Sequence, residues 1–152
     1  MTHCRFLCNT TLAFIILFGT VAAGQDWSQW RGPDRDGAVP SFQLPEGKWP
    51  ESLIRRWTVE VGQGYAAPLL VGNRIYSFTR QDDDEVMQAL EASSGEMIWR
   101  SAYPALFEMN SAARYHGPGP KSTPAFADDR LFTLGMSGIV TAFDVVTGKQ
   151  LW

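Results

Sequence analysis

Two stretches of this chain share one pattern: ALEASSGEMIW at residues 89–99 and AFDVVTGKQLW at residues 142–152. In both, an acidic residue lies two positions after the alanine, a Ser-Gly or Thr-Gly pair follows, and a tryptophan lies four positions after the glycine. Glycine accepts the positive φ of a tight turn, and tryptophan offers a large apolar surface. We therefore expect each glycine in a turn between strands and each tryptophan against a neighbouring unit. These structural repeat residues are Gly95, Trp99, Gly148 and Trp152.

A second pair of matching stretches lies upstream of the first. APLLVGNRIY at residues 67–76 aligns with TPAFADDRLF at residues 123–132 at an offset of 56, whereas the tryptophan stretches are offset by 53. The change in offset falls in the acidic stretch at residues 81–85. The first copy therefore has a longer hairpin tip there than the second copy has at residues 136–138. One such unit cannot bury both of its own faces, so several must stack, as the blades of a β-propeller do.

The pattern along the chain is that of an all-β protein. Short stretches rich in Val, Ile, Tyr, Phe and Thr are separated by turn residues every 6 to 12 positions, and no stretch has the period of an amphipathic helix. Strands are predicted at residues 56–61, 67–71, 74–80, 86–91, 97–101, 122–127, 130–135 and 139–144. We expect a partial β-propeller of about two four-stranded blades at residues 54–152, after a lead-in segment at residues 25–53. Trp57 is expected in an earlier, degenerate unit.

Residues 1–24 have the composition of a secretory signal. Arg5 precedes an apolar run at residues 12–18, and cleavage after Ala23 or Gly24 would suit a signal peptidase. Both cysteines of the chain lie in this segment, so the processed chain would contain none. We expect an exported protein of the bacterial periplasm or cell envelope, with an uncleaved N-terminal anchor as the alternative.

The charge of the chain excludes two classes of partner. Without the predicted signal, 12 basic residues stand against 16 acidic ones, and no basic cluster occurs. Nucleic acid and anionic lipid both require a positive surface on the protein that binds them. We therefore expect no nucleic-acid partner. After signal removal no segment is apolar enough to be predicted as a transmembrane helix.

The repeats resemble those of a known family. Together with WSQWRGP at residues 27–33, they resemble the pyrroloquinoline-quinone-like (PQQ-like) propeller repeats. Quinoprotein alcohol dehydrogenases share these repeats with the lipoprotein component of the outer-membrane β-barrel assembly machine. The resemblance covers residues 54–152 and implies a closed propeller of about seven or eight blades. The chain is therefore expected to be an N-terminal fragment, with a ring of several short chains as the alternative.

The connection between the two copies carries the most suggestive polar residues. It reads ARYHGPGPK at residues 113–121 and contains the one histidine outside the predicted signal. Because proline restricts its backbone and its polar side chains would supply hydrogen-bond donors at one end of the blade, we predict a site for an anion or a polar substrate, with a rigid connection as the alternative. The candidate ligand-binding residues are Arg114, Tyr115, His116 and Lys121.

Two acidic stretches are rejected as metal sites. Residues 82–85 are four consecutive acids on a hairpin tip, where neighbouring side chains point in opposite directions and solvation accounts for their charge. Residues 34–38 lack the third oxygen ligand of a calcium loop, because Ala38 occupies its position. No nucleophile motif or phosphate loop occurs, so we assign no catalytic and no metal-binding residue.

Two functions stay open. The first is an exported, non-catalytic PQQ-like propeller that acts as a binding or scaffold module for protein partners in the bacterial cell envelope, with no evident cofactor. The alternative implied by the resemblance is a PQQ-dependent alcohol or sugar dehydrogenase, with calcium, whose catalytic residues would lie in other blades. We favour the scaffold, because the repeat pattern is present and the catalytic pattern is not. The residues do not indicate an oligomeric state.

Overall fold

The computed structural model describes residues 25–40, 42–44 and 47–152, so the predicted signal lies outside the described residues. The described chain forms seven strands and, between the two groups of strands, a 3-10 helix. In order these are β1 (Leu69–Val71), β2 (Arg74–Gln81), β3 (Asp84–Glu91), β4 (Met97–Pro104), the 3-10 helix (Ser111–His116), β5 (Ala125–Ala127), β6 (Arg130–Leu134) and β7 (Val140–Asp144). Strands β1–β4 form an antiparallel sheet in that order, sheet 1, and β5–β7 form a second, sheet 2. The all-β prediction is confirmed.

Sheet 1 is a meander of hairpins. Leu69 faces Tyr76 across β1 and β2, and Phe78 faces Met87 across β2 and β3. At the tip between β2 and β3, Asp82 has a φ of 54°, a left-handed conformation that Asp tolerates better than most residues and that two-residue hairpin turns require. Strands β2 and β3 are buried along most of their length, and the buried side chains include the polar or charged residues Ser77, Thr79, Arg80, Glu85 and Gln88.

Sheet 2 repeats this arrangement with one strand fewer. Its first hairpin has the register of the first hairpin of sheet 1, shifted by 56 residues. Beyond β7, one bridge joins Gln150 to Phe143, and the N–H of Leu151 donates to the carbonyl of Ala142 at 2.8 Å. Residues 150–152 thus run along β7 in the position that β4 holds beside β3.

Two elements differ from those predicted. Residues 56–61 form no strand in the described chain, so the strand predicted there is wrong. A strand needs a paired neighbour, and extended backbone alone does not supply one. The connection between the sheets forms the 3-10 helix, where no helix was predicted, because one short turn needs no apolar stripe. In the described part of the chain, no helix is long and apolar enough to cross a membrane.

The hydrophobic core lies between the two sheets. Tyr103 of β4 stacks on Phe143 of β7 with ring centres 6.3 Å apart. Burying one large side chain of this kind contributes about 1.5–3 kcal/mol. The buried core residues are Leu69, Tyr76, Phe78, Met87, Ala89, Tyr103 and Ala105 from the sheet 1 side and Leu131, Phe143 and Val145 from the sheet 2 side.

A tryptophan of sheet 1 docks on a turn of sheet 2. The indole N–H of Trp99 donates to the carbonyl of Val145 at 3.1 Å. Its ring lies against Gly148, where a Cβ would overlap the indole. Gly148 also has a φ of 72°. Any side chain at this position would therefore strain the turn and displace the tryptophan.

The same contact occurs on the opposite face of sheet 1. Trp57 donates to the carbonyl of Ala92 at 3.1 Å, and a Cβ on Gly95 would lie 2.7 Å from the indole ring. In the repeat, Ala92 and Gly95 correspond to Val145 and Gly148. Trp57 therefore contacts sheet 1 in the same way as Trp99 of sheet 1 contacts sheet 2. Its segment occupies the position of a strand from a preceding unit.

Substitution of the docking glycine should separate the two sheets. Gly148→Ala is expected to lower the free energy of unfolding by about 1–3 kcal/mol, because the new methyl group displaces Trp99. Gly138→Ala is the matched control: Gly138 has a φ of 79°, but a Cβ there has nothing within 4 Å. Urea unfolding followed by tryptophan fluorescence measures both variants, and an equal loss in the two would show that backbone strain alone is responsible.

Candidate functional site

The connection between the sheets holds the predicted ligand-binding residues at the surface. The side-chain oxygen of Asn110 accepts from the N–H of Ala112 at 2.9 Å and so caps the 3-10 helix. The helix ends at His116 and is capped by Gly117, whose φ of 65° suits a glycine. No residue of this helix is buried, so its side chains face solvent or their immediate neighbours.

The structure divides the four predicted residues into two groups. The guanidinium of Arg114 lies 4.7 Å from the ring centre of Tyr115 and donates to its hydroxyl at 2.6 Å. The ammonium of Lys121 donates to the carbonyls of His116 and Gly117 at 3.1 and 3.3 Å. Lys121 therefore contacts the backbone of His116, whose side chain is exposed.

Residues after the 3-10 helix attach this connection to the segment that precedes sheet 1. The N–H groups of Tyr65 and Ala66 both donate to the carbonyl of Pro120, at 2.7 and 3.1 Å. A Cβ on Gly119 would overlap the backbone of Gln63, so the two segments are in close contact. The ammonium of Lys121 lies 5.1 Å from the ring centre of Tyr65. The connection is thus held in place whether it is a ligand-binding site or only a rigid connection.

Removal of the lysine side chain should loosen this attachment. Lys121→Ala is expected to lower the free energy of unfolding by about 0.5–1 kcal/mol, because two carbonyls lose a charged donor and Tyr65 loses its cation. Arg114→Ala is the control, since Arg114 contacts its own neighbour Tyr115. Thermal unfolding of both variants measures the difference, and a Lys121→Ala variant as stable as Arg114→Ala would contradict this account.

A buried carboxylate that sequence reasoning missed joins the two sheets. Glu85, on β3, is 0% exposed. One carboxylate oxygen accepts from the hydroxyl of Tyr103 at 2.8 Å, and the other accepts from the backbone N–H of Met136 at 2.6 Å. A Cβ on Gly135 would overlap this carboxylate, so glycine leaves the space that it occupies.

The interpretation of residues 82–85 as a solvated tip is therefore wrong for Glu85. Asp82 and Asp83 are exposed, but side chains alternate along β3 and place Glu85 on the face that meets sheet 2. Burial raises the pKa of the Tyr103 hydroxyl to about 12, and the neighbouring Glu85 carboxylate adds to this rise. Tyr103 is thus a neutral donor at physiological pH.

Neutralising the buried carboxylate should weaken the joint between the sheets. Glu85→Gln is expected to lower the free energy of unfolding by about 1–3 kcal/mol, because the amide nitrogen cannot accept from a donor as the second carboxylate oxygen does. Asp83→Asn is the control on the same hairpin, since Asp83 is exposed. Urea unfolding at neutral pH distinguishes them, and a stable Glu85→Gln variant would show that these hydrogen bonds contribute nothing.

The described residues offer no donor set for the calcium that would accompany PQQ. Within them, no three His, Cys, Asp or Glu side chains lie close enough together to hold a metal ion. Calcium in proteins takes six to eight oxygen ligands, mostly from carboxylates and carbonyls.

The fold and the repeated tryptophan contact define a β-propeller repeat protein, with sheets 1 and 2 as neighbouring blades. A family model described as "Outer membrane protein assembly factor BamB", of the PQQ-like repeat type, matches residues 54–152. The chain belongs to this family. The resemblance to PQQ-like propeller repeats, inferred from the tryptophan pattern, is confirmed.

Individual relatives carry the same description. The outer membrane protein assembly factor BamB of Shewanella oneidensis is 28% identical over 99 residues, which are 63% of this chain and 25% of the relative. A crystal structure of BamB from Moraxella catarrhalis is similar over 60% of this chain and 27% of that chain, with 20% identity and a TM-score of 0.39. The chain spans about a quarter of the length of both.

Proposed function

We propose that the protein is a non-catalytic propeller that binds protein partners in the bacterial cell envelope. The observation that carries this proposal is the family match over residues 54–152, since the family and the Shewanella relative are both described as outer membrane assembly factors. A propeller presents loops and strand edges on a rigid frame, which suits a scaffold. The export signal predicted at residues 1–24 would deliver the protein to the same compartment.

We assign the partner to the outer edge of sheet 1. Strand β4 pairs with β3 on one side and has no strand on its other side within the described chain. A free edge offers a row of backbone N–H and C=O groups to an added strand. Met97 and Ile98 are 54% and 40% exposed and supply apolar contacts beside these groups. Pro104 ends the edge, because proline cannot donate to a ladder.

Cross-linking in the envelope tests this assignment. A photoreactive phenylalanine analogue in place of Ile98 in the full-length protein should yield a discrete product with an envelope protein. The same analogue at Val146, which is 60% exposed in a turn of sheet 2, serves as the control and should not. No product at position 98, or the same products at both positions, would contradict the edge as the partner site.

The anion or polar-substrate site at Arg114, Tyr115, His116 and Lys121 stays a prediction. His116 is the best residue for testing it, because its side chain is exposed while Lys121 also bonds to the backbone. Inorganic phosphate is a suitable probe, and its titration should shift the backbone NMR signals of residues 114–121. Shifts that disappear in His116→Ala would support the site, and unshifted signals would leave the connection with a structural role alone.

The PQQ-dependent dehydrogenase also stays a prediction, and it would rest on residues beyond those described. Adding PQQ, calcium and a primary alcohol or an aldose to the full-length protein, with an artificial electron acceptor, tests it directly. Reduction of the acceptor would favour the enzyme over the scaffold.

A further inference from the structure

The lead-in segment pairs with both sheets, and the proposed function gives it no role. Trp27 and Leu70 exchange two backbone hydrogen bonds, with N···O distances of 2.6 and 3.1 Å. One residue further on, the carbonyl of Ser28 accepts from the N–H of Phe126 at 2.8 Å. Leu70 lies in β1 and Phe126 in β5, the first strand of each sheet. The lead-in therefore runs between the two sheets and is bonded to each.

The bonded edges are the inner edges, which we define as the sides of β1 and β5 that face away from β2 and β6. A fourth bond lies next to these three, because a carboxylate oxygen of Asp26 accepts from the N–H of Gly72 at 2.8 Å. Three consecutive residues, Asp26 to Ser28, thus accept hydrogen bonds from backbone donors that the sheets' own ladders do not use. We call residues 26–28 the strap.

The turn that follows holds the strap in its bonded shape. Gly32 is buried with a φ of 81°, and a Cβ there would lie 2.8 Å from the ring of Trp27. Its N–H donates to the carbonyl of Gln29 at 3.0 Å, and the Gln29 amide donates to the carbonyl of Pro33 at 2.7 Å. The WSQWRGP stretch therefore folds back on its own first tryptophan. A segment preorganised in this way loses less conformational freedom when it pairs.

We propose that the strap locks the first strands of two neighbouring blades together and closes their inner edges to any added strand. It links the sheets through backbone hydrogen bonds, independently of the side chains in the core between them. Because each inner edge is occupied at its central residue, a partner strand has no continuous row of donors and acceptors there. The strap thus directs strand addition on sheet 1 to the outer edge at β4.

Amide hydrogen exchange of the full chain tests the proposal, first in the unaltered protein. The amides of Leu70 and Phe126 should exchange as slowly as those of the β2–β3 ladder, because the strap accepts from them. Exposed edge amides without such acceptors exchange rapidly. Rapid exchange at either residue would overturn the proposal.

Two glycine variants provide the second measurement. Gly32→Ala should speed exchange at Leu70 and Phe126 by at least about tenfold and leave the β2–β3 ladder unchanged, because the methyl group displaces Trp27 and opens the strap locally. Gly37→Ala is the matched control: its φ is 76°, but a Cβ there meets nothing nearer than the Arg31 side chain at 3.6 Å. No change in Gly32→Ala, or an equal change in both variants, would overturn the proposal.

A third variant keeps the test decisive if Gly32→Ala fails to fold. Asp26 is exposed, so Asp26→Ala should leave the fold intact while it removes the acceptor of the Gly72 amide. Faster exchange confined to Gly72 and its edge neighbour Leu70 would support the strap. Unchanged exchange at Gly72 would overturn it.

Discussion

The docking of one indole on one glycine turn sets how the two sheets face each other. Apolar burial in the core is non-directional and would tolerate several relative positions of the sheets. The hydrogen bond from Trp99 to the carbonyl of Val145 is directional, and the absence of a Cβ at Gly148 lets the ring reach the turn. Together they fix one point of contact between the sheets, and Tyr103 stacks on Phe143 in the core beside it.

The Trp99 contact alone would still allow the two sheets to rotate about it. A second contact between the sheets lies at the other end of β7. The Trp99 contact involves the turn after β7, whereas Glu85 bonds to Met136 in the turn before it. A buried carboxylate is costly unless its lone pairs are satisfied, and here a hydroxyl and a backbone N–H satisfy them. The first contact is an aromatic ring packed on a glycine, and the second is a carboxylate that accepts two hydrogen bonds. Different substitutions therefore disrupt them.

Local chemistry explains why the repeat was predictable from sequence and why other contacts were not. The turn glycines and the tryptophans act within one spacing pattern, so Gly95 and Gly148 could be assigned without knowledge of distant residues. The burial of Glu85 depends on Met136, 51 residues away, and a run of acids on a hairpin looks solvated until that neighbour is known. The lead-in pairs through only three consecutive residues, 26–28, which are too few to leave a periodic pattern. Residues 56–61 have the composition of a strand, but composition does not supply a partner.

The acceptor in the indole contact is a main-chain carbonyl, and this has a consequence for how such repeats evolve. Ala92 accepts from Trp57 and Val145 accepts from Trp99 with the same distance of 3.1 Å, although their side chains differ. Every residue has such a carbonyl, so substitutions at this position leave the contact intact. After a duplication, two copies of the unit can drift apart in most of their residues and still stack, provided that one tryptophan and one glycine persist in each.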